Sequence, residues 1–492
     1  MPFDLNDLLA QRRGEGYALQ SSHINAQVPK VLHTIGFDKV FDRAEGAHYW
    51  DVDGNRYLDF LAGFGVFAIG RNHPVIRKAL HDVLDAGLAD MLQFDAPLLP
   101  GLLAEALLAR SPGMERVYFC NSGSEAVEAA LKFARCATGR KRILYCDHAY
   151  HGLTAGTLSV NGADEFRKGF DPLLPDTKVP FGDLDTLEKE LRKGDVAALL
   201  IEPIQGKGVN VAPDGFLRDA QVLLRGHGAL LIADEVQSGL GRTGKFYAHH
   251  HDAETSGGVQ PDIITVAKAL SGGFVPVGAT LMRPGVFEKV YSSLDRVFVH
   301  ASTFMGNALA MTAGLATLQV LDDERLLDNA AARGDELMAG LRAIAAAQPT
   351  IADVRGRGLM IGIEFRKPPT VRGKAMWSTL NVARKGLFAQ MVVVPLFTEH
   401  RILTQVAGDH MAVIKLIPPL TITSDDVQEF LTAFESVMTG AEKPSGLAFD
   451  FGKTLVKQAL TARNATAAPS PGAPSGKRSR GKTAGKADRP VH

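Results

Sequence analysis

Between residues 117 and 267 the chain repeats one pattern, a short and nearly unbroken apolar run followed by a stretch with helical spacing. The runs are VYFC (117–120), ILYC (143–146), VAALLIE (196–202), ALLIADE (229–235) and DIITVA (262–267). Each has strand length and few polar positions, as expected of strands covered on both faces. Segments such as DGFLRDAQVLLRGHG fall between them and read as helices. The alternation predicts an α/β fold with a mostly parallel, helix-covered sheet. Beyond residue 310 the rhythm changes. The helical stretches NALAMTAGLATLQVL and NAAARGDELMAGLRAIAAA lead into MIGIEF, VVVPL and IKLIPPL, which predicts a smaller α+β domain. From residue 465 the chain reads ATAAPSPGAPSGKRSRGKTAGKADRPVH, has nothing apolar to bury, and is predicted to be disordered.

Composition narrows the function classes. The 492 residues carry 54 basic and 54 acidic side chains, a balance that argues against a whole-protein nucleic-acid binder. Cys120, Cys136 and Cys146 show no paired spacing, which fits a reducing cytoplasm. The N-terminal stretch MPFDLNDLLAQRRGEGYALQ contains acids and lacks the apolar core of a secretory signal. No run approaches the roughly 18 apolar residues of a membrane-spanning helix. In the tail, Lys477, Arg478, Arg480, Lys482, Lys486 and Arg489 face only Asp488. Such a segment suits a solubilising tail; it could also attract nucleic acid or make weak contact with an anionic membrane surface, aided by the amphipathic GLAFDFGKTLVKQAL just before it.

Candidate chemistry gathers at the strand ends. In a parallel α/β sheet, ligands sit outside the carboxyl ends of the strands. VYFC runs into Asn121-Ser122-Gly123-Ser124-Glu125 and then a helix. Small residues there serve equally as an ordinary N-cap or as a cradle whose amides approach a phosphate. ALLIADE delivers Asp234 and Glu235, with Gln237 just beyond. A carboxylate at that place makes a structural ion pair, or keeps a heterocyclic nitrogen protonated. DIITVA ends at Lys268, followed by Ser271-Gly272-Gly273, a stretch expected to leave room for a ring and its substrate. A lone lysine there reads first as a stem packed on the core with its ammonium in water. If desolvated, its neutral amine forms a Schiff base with an aldehyde. Phosphate cradle, ring-nitrogen acid and Schiff-base lysine together specify pyridoxal 5'-phosphate. Two other features are set aside. GLGRTGKF (239–246) nearly spells a phosphate-binding loop, but Phe246 stands where Ser or Thr would hold magnesium, which leaves a nucleotide-binding protein a remote alternative. His249, His250 and His251 are consecutive, lack ligand spacing, and are expected to form a surface cluster.

With these residues in place, the sequence resembles the class III (ornithine/ω-amino acid type) aminotransferases over residues 30–440. The resemblance is carried by DVDGNRYLDFLAGFGVFAIGRNHP (51–74), CNSGSEAVEAALKFAR (120–135), AYHG (149–152), EPIQGKG (202–208), LIADEVQSGLGRTG (231–244), DIITVAKALSGG (262–273), STFMGNALA (302–310) and VRGRGLM (354–360). It implies the type I fold of pyridoxal-phosphate enzymes and a homodimer with active sites at the subunit interface. The domains implied are an N-terminal segment (1–75), a large cofactor-binding domain (76–325), a small C-terminal domain (326–445), and the amphipathic stretch and tail (446–492). By the same resemblance Lys268 is the cofactor-bearing lysine and proton shuttle, and Asp234 pairs with the ring nitrogen. Gln237 lies near the cofactor's phenolic oxygen, Gly123 and Ser124 hold the phosphate, and Tyr150 covers one ring face. Thr303 matches the residue that reaches the phosphate from the neighbouring subunit.

The substrate side departs from the family. Many relatives read EPIQGE where this chain has Lys207, and an arginine before PPL where it has Lys415. After AYHG, Leu153 stands in place of a carboxylate-binding arginine. A lysine cannot grip a carboxylate bidentately as arginine does, so poor use of 2-oxoglutarate is expected. Phe64 replaces a tyrosine common in ornithine-type relatives, and Val66 and Phe67 follow it. Those residues make either an apolar mouth or interface core. The implied reaction moves an amino group between a terminal amine (ω-amino acid, diamine or long-chain amine) and an oxo acid or aldehyde. A lipid-derived aldehyde such as an amino-hopanoid precursor is the alternative acceptor. A decarboxylase or aminomutase of the same family is the alternative chemistry.

Overall fold

The computed structural model describes residues 3–91, 95–254, 258–368, 377–378, 386–408 and 410–441. The stretch predicted for 446–492 lies outside the described residues. The strands are β1 (Phe41–Glu45), β2 (His48–Asp51), β3 (Arg56–Asp59), β4 (Arg116–Cys120), β5 (Arg142–Cys146), β6 (Thr177–Val179), β7 (Val196–Ile201) and β8 (Leu230–Asp234). They continue with β9 (Ile263–Val266), β10 (Gly278–Met282), β11 (Ile351–Arg357), β12 (Met360–Phe365), β13 (Ile402–Leu403), β14 (Gln405–Val406) and β15 (Val413–Leu416).

The central sheet has seven strands in the order β4-β10-β9-β8-β7-β5-β6. Strands β5 to β9 pair in parallel, and β10 runs antiparallel between β9 and β4. The carboxyl ends of β4, β7, β8 and β9 therefore share one edge. The apolar runs form strands because both faces are covered. All six residues of β7 are buried, and the helix Gly123–Thr138 buries Ala126, Ala129, Ala130 and Phe133 against the sheet. Two four-stranded sheets flank it, β1-β2-β3-β13 and β11-β12-β15-β14. One core cluster runs from Ala47 through Leu281 to Met438 and joins the parts.

One run predicted alongside strands is helical. VVVPL lies inside the helix Leu387–Thr398, with Pro395 near its end. Ten of its twelve residues are buried, so the helix has no polar face to betray its period. The histidine trio also differs from expectation. His249 is buried and its Nδ1 lies 2.8 Å from Glu235 Oε1, which draws the cluster inward. His249 and His250 pack edge to face with centroids 4.7 Å apart. GLGRTGKF is a turn, in which the buried Arg242 donates to the carbonyls of Leu359 and Pro418.

Candidate functional site

A cavity of about 1110 Å3 opens at the shared strand edge. It lies just above the roughly 300–1,000 Å3 of small-molecule sites. Four connections deliver its groups. After β4 the chain passes Ser122, whose Oγ accepts the Glu125 N–H and caps the helix beginning at Gly123. A Cβ on Gly123 would come within 2.9 Å of Val236, so only glycine lets the helix start this close to the β8 turn. After β7 comes Glu202, at the end of β8 Asp234, and after β9 Lys268.

Lys268 opens a short helical turn with φ +43, a left-handed backbone rare outside glycine and held here by the packing around it. The residues after it correct an expectation. Gly272 and Gly273 have φ of +60 and +87, and side chains there would meet Ile69 and the Phe67 ring. The glycines make room for the protein's own core, although Ser271 and Gly273 also line the cavity.

Desolvation pulls the Lys268 amine below the ordinary lysine range, against the opposing pull of Asp234 and Glu202. Asp234 is buried and accepts three hydrogen bonds. Its Oδ1 takes them from Val236 N–H and Thr265 Oγ1, both at 3.1 Å, while Oδ2 lies 2.7 Å from His151 Nδ1. His151 is itself buried, and its Nε2 has no partner among the described residues. Glu202 accepts the N–H groups of Tyr150 (3.0 Å) and Gly206 (2.8 Å), and burial pushes its carboxyl up.

A second network joins the first at Gly206. Lys415, on β15, donates to Gly206 O (2.8 Å) and Gln237 Oε1 (3.1 Å). Gln237 Nε2 in turn donates to Phe64 O (2.9 Å), fixing the amide at both ends. Burial, helped by the charge of Lys268, pulls Lys415 down to about 7. Lys207 pairs with Glu165 at 2.8 Å and lies 4.1 Å above the Phe166 ring. Phe166 packs edge to face on Tyr150.

The structure thus gathers Phe64, Gly123, Ser124, Tyr150, Lys207, Asp234, Gln237, Lys268 and Lys415 around one cavity. Leu153 and Thr303 do not line it. Leu153 is 49% exposed, and Thr303 sits in an exposed turn. Val66 lines the cavity, whereas Phe67 packs over Gly273 with the Arg71 guanidinium 4.0 Å above its ring. Sequence reasoning assigned no role to His151, Glu165, Phe166 or Glu202. His151 and Glu202 stood in the quoted AYHG and EPIQGKG. Glu165 carried no signal, because only the fold brings it 42 residues back to Lys207.

Solved structures share this architecture. Ornithine aminotransferase from Toxoplasma gondii ME49 is 31% identical, with a TM-score of 0.71 over 82% of this chain and 91% of that one. An amine transaminase from an uncultivated Pseudomonas species, in its pyridoxal-phosphate-bound form, is 29% identical with a TM-score of 0.69, covering 82% of this chain and 94% of its own. The protein is a pyridoxal-phosphate enzyme of fold type I.

Sequence comparison narrows the class. The aminotransferase class-III family model matches residues 34–438. The acetylornithine aminotransferase of Methanopyrus kandleri is 38% identical over 392 residues, 79% of this chain and 91% of that protein. Aminotransferase PigE of Serratia sp. is 36% identical over 469 residues, 88% of this chain, and the match spans 54% of PigE. The chain belongs to the class-III aminotransferase family and is a pyridoxal-phosphate-dependent transaminase. Among the described residues no helix is long and apolar enough to cross a membrane.

Proposed function

We propose that this transaminase takes its amino group from a terminal amine and passes it to an oxo acid or aldehyde, with Lys268 as the catalytic amine. The observation that carries this reading is the placement of Lys268 and Asp234 at neighbouring strand ends of one cavity, with an apolar mouth of Phe64, Val66, Phe166 and Val406. The residues fit the cofactor. The backbone amides at Gly123 and Ser124, at a helix start, would hold its phosphate. Asp234, fixed by three hydrogen bonds, would face its ring nitrogen, with Tyr150 against the ring and Gln237 near the phenolic oxygen. Pyridoxal phosphate supplies an electron sink and carries the amino group between the two half-reactions.

Lys268 Nζ does the proton work. With its pKa lowered by desolvation, the free amine would accept a proton from the substrate carbon and return it to the cofactor's C4′ carbon. Phe64, 54% exposed at the rim, and Val66 favour a substrate with a long or bulky apolar body. That mouth also supports the second reading, a hydrophobic, lipid-derived aldehyde as acceptor. Exposed Phe298, Phe304 and Met305 around Thr303 support a homodimer in which Thr303 completes the partner's phosphate site. Three free cysteines support a reducing cytoplasm.

The test is a donor screen on the yellow holoenzyme, reading its absorbance as diamines, ω-amino acids, long-chain amines and α-amino acids are added. Terminal amines should convert the cofactor to its pyridoxamine form. Conversion by α-amino acids alone would sink the reading. Borohydride should leave the cofactor covalently on Lys268, and a Lys268→Ala variant that still traps it on the chain would remove the central assignment.

A further inference from the structure

Three lysines line the cavity, and two of them are held by hydrogen bonds or an ion pair. Lys268 stands beside Asp234 and Glu202. Lys415 spends its hydrogen bonds on Gly206 O and Gln237 Oε1. Lys207, with its ammonium seated over the Phe166 ring, is the one whose partner is a side-chain carboxylate at the cavity wall. That partner, Glu165, comes from a helix of only four residues, Asp164–Arg167. The Glu165 side chain is 31% exposed against 11% for Lys207, so the acid approaches from the wet side and the cation sits inside.

A substrate carboxylate that reached Lys207 would have to replace this ion pair with one of the same kind. An uncharged chain meets no such competition and finds Phe166 and Tyr150 beside it. We propose that Glu165 is an internal carboxylate occupying the Lys207 subsite, so that the site discriminates against dicarboxylates in favour of uncharged apolar substrates. Glu165 is thereby a specificity-determining residue that acts through Lys207. The inference deepens the terminal-amine reading and rests on it only in taking this cavity as the substrate site.

The experiment titrates succinate, a dicarboxylate without an oxo group, into the pyridoxal-phosphate holoenzyme by calorimetry. E165A and E165Q should bind it about tenfold more tightly than wild type, the scale of one hydrogen-bonded charge contact. The same substitutions on a K207M background should give no gain. Kinetics should agree, with the KM for 2-oxoglutarate falling in E165A while that for octanal does not. A merely structural role would weaken both. Succinate affinity unchanged in both single variants, or raised equally with and without Lys207, overturns the proposal. A failed donor screen beside a Lys207-dependent gain in succinate affinity would refute the terminal-amine reading and leave this one standing.

Discussion

Lys415 offers a prediction whose size follows from its surroundings. It is 4% exposed, and burial brings its pKa from 10.5 to about 7. The folded state thus releases the proton before the unfolded chain does. Between those two values the unfolded chain binds more protons, so stability rises with pH. Below about pH 7 both states are protonated, and the whole cost of burying the ammonium is present. From about pH 7 to pH 9 the proton difference integrates to about 2 kcal/mol, at 1.36 kcal/mol per pH unit for one full proton. Lys415→Met removes this titration. It also removes the bonds to Gly206 O and Gln237 Oε1, but that loss is nearly independent of pH. The difference between wild type and variant therefore isolates the proton. For a chain of this size about 2 kcal/mol corresponds to about 2–3 °C in melting temperature. The assay is thermal unfolding of the cofactor-free proteins from pH 7 to pH 9, with wild type gaining on Lys415→Met by that amount. Parallel curves would mean that Lys415 keeps its proton on folding, and the claim that burial sets its charge would be wrong. The consequence reaches function, since above neutral pH the wall near Gln237 loses a positive charge.

Two further outcomes follow from the geometry. Gly273→Ala puts a Cβ into the Phe67 ring at φ +87, and should cost about 2–4 kcal/mol from backbone strain and overpacking together, read as a lowered melting temperature; an unchanged melt would refute the packing argument. His151→Phe removes the Nδ1 contact that holds Asp234 Oδ2, and a hydrogen bond to a charged group of about 1.5–3 kcal/mol should appear as a ten- to hundredfold loss of kcat/KM. Its absorbance spectrum should shift as well, because Asp234 is then held by Val236 and Thr265 alone; a spectrum and rate like wild type would show that His151 does not position Asp234.

Much of this was legible in the chain, for identifiable reasons. Strands such as VAALLIE were readable because a both-faces-buried strand leaves an unbroken apolar run. VVVPL looks the same over five letters, but it lies within the helix Leu387–Thr398, which is buried nearly all round and so shows no polar face. Asp234 and Lys268 were readable because strand ends in such a sheet converge. His249 was not, since a run of histidines looks solvated until Glu235 is known to face it. Leu153 was expected at the substrate side from its place after AYHG, yet the chain turns outward there and exposes it. Glu165 and Phe166 lie in a short polar stretch whose sequence carries no period, and only tertiary contact gives them meaning.

What the lining charges do together bears on specificity. Lys207, Lys268 and Lys415 face Glu165, Glu202 and Asp234, and each acid has partners of its own: Lys207 for Glu165, two N–H groups for Glu202, and His151, Thr265 and Val236 for Asp234. Burial drives Lys268 and Lys415 down and Glu202 up, so the interior drifts toward neutrality rather than toward a free cation. On the proposed reading such a cavity would take an apolar body without disturbing any pair. A dicarboxylate would have to break one, and Lys207 with Glu165 is the pair proposed to give way. On that reading the departures at these two positions act in concert: Lys415 in place of an arginine removes a bidentate grip and is held by Gly206 O and Gln237 Oε1, while Lys207 in place of a glutamate is held by Glu165.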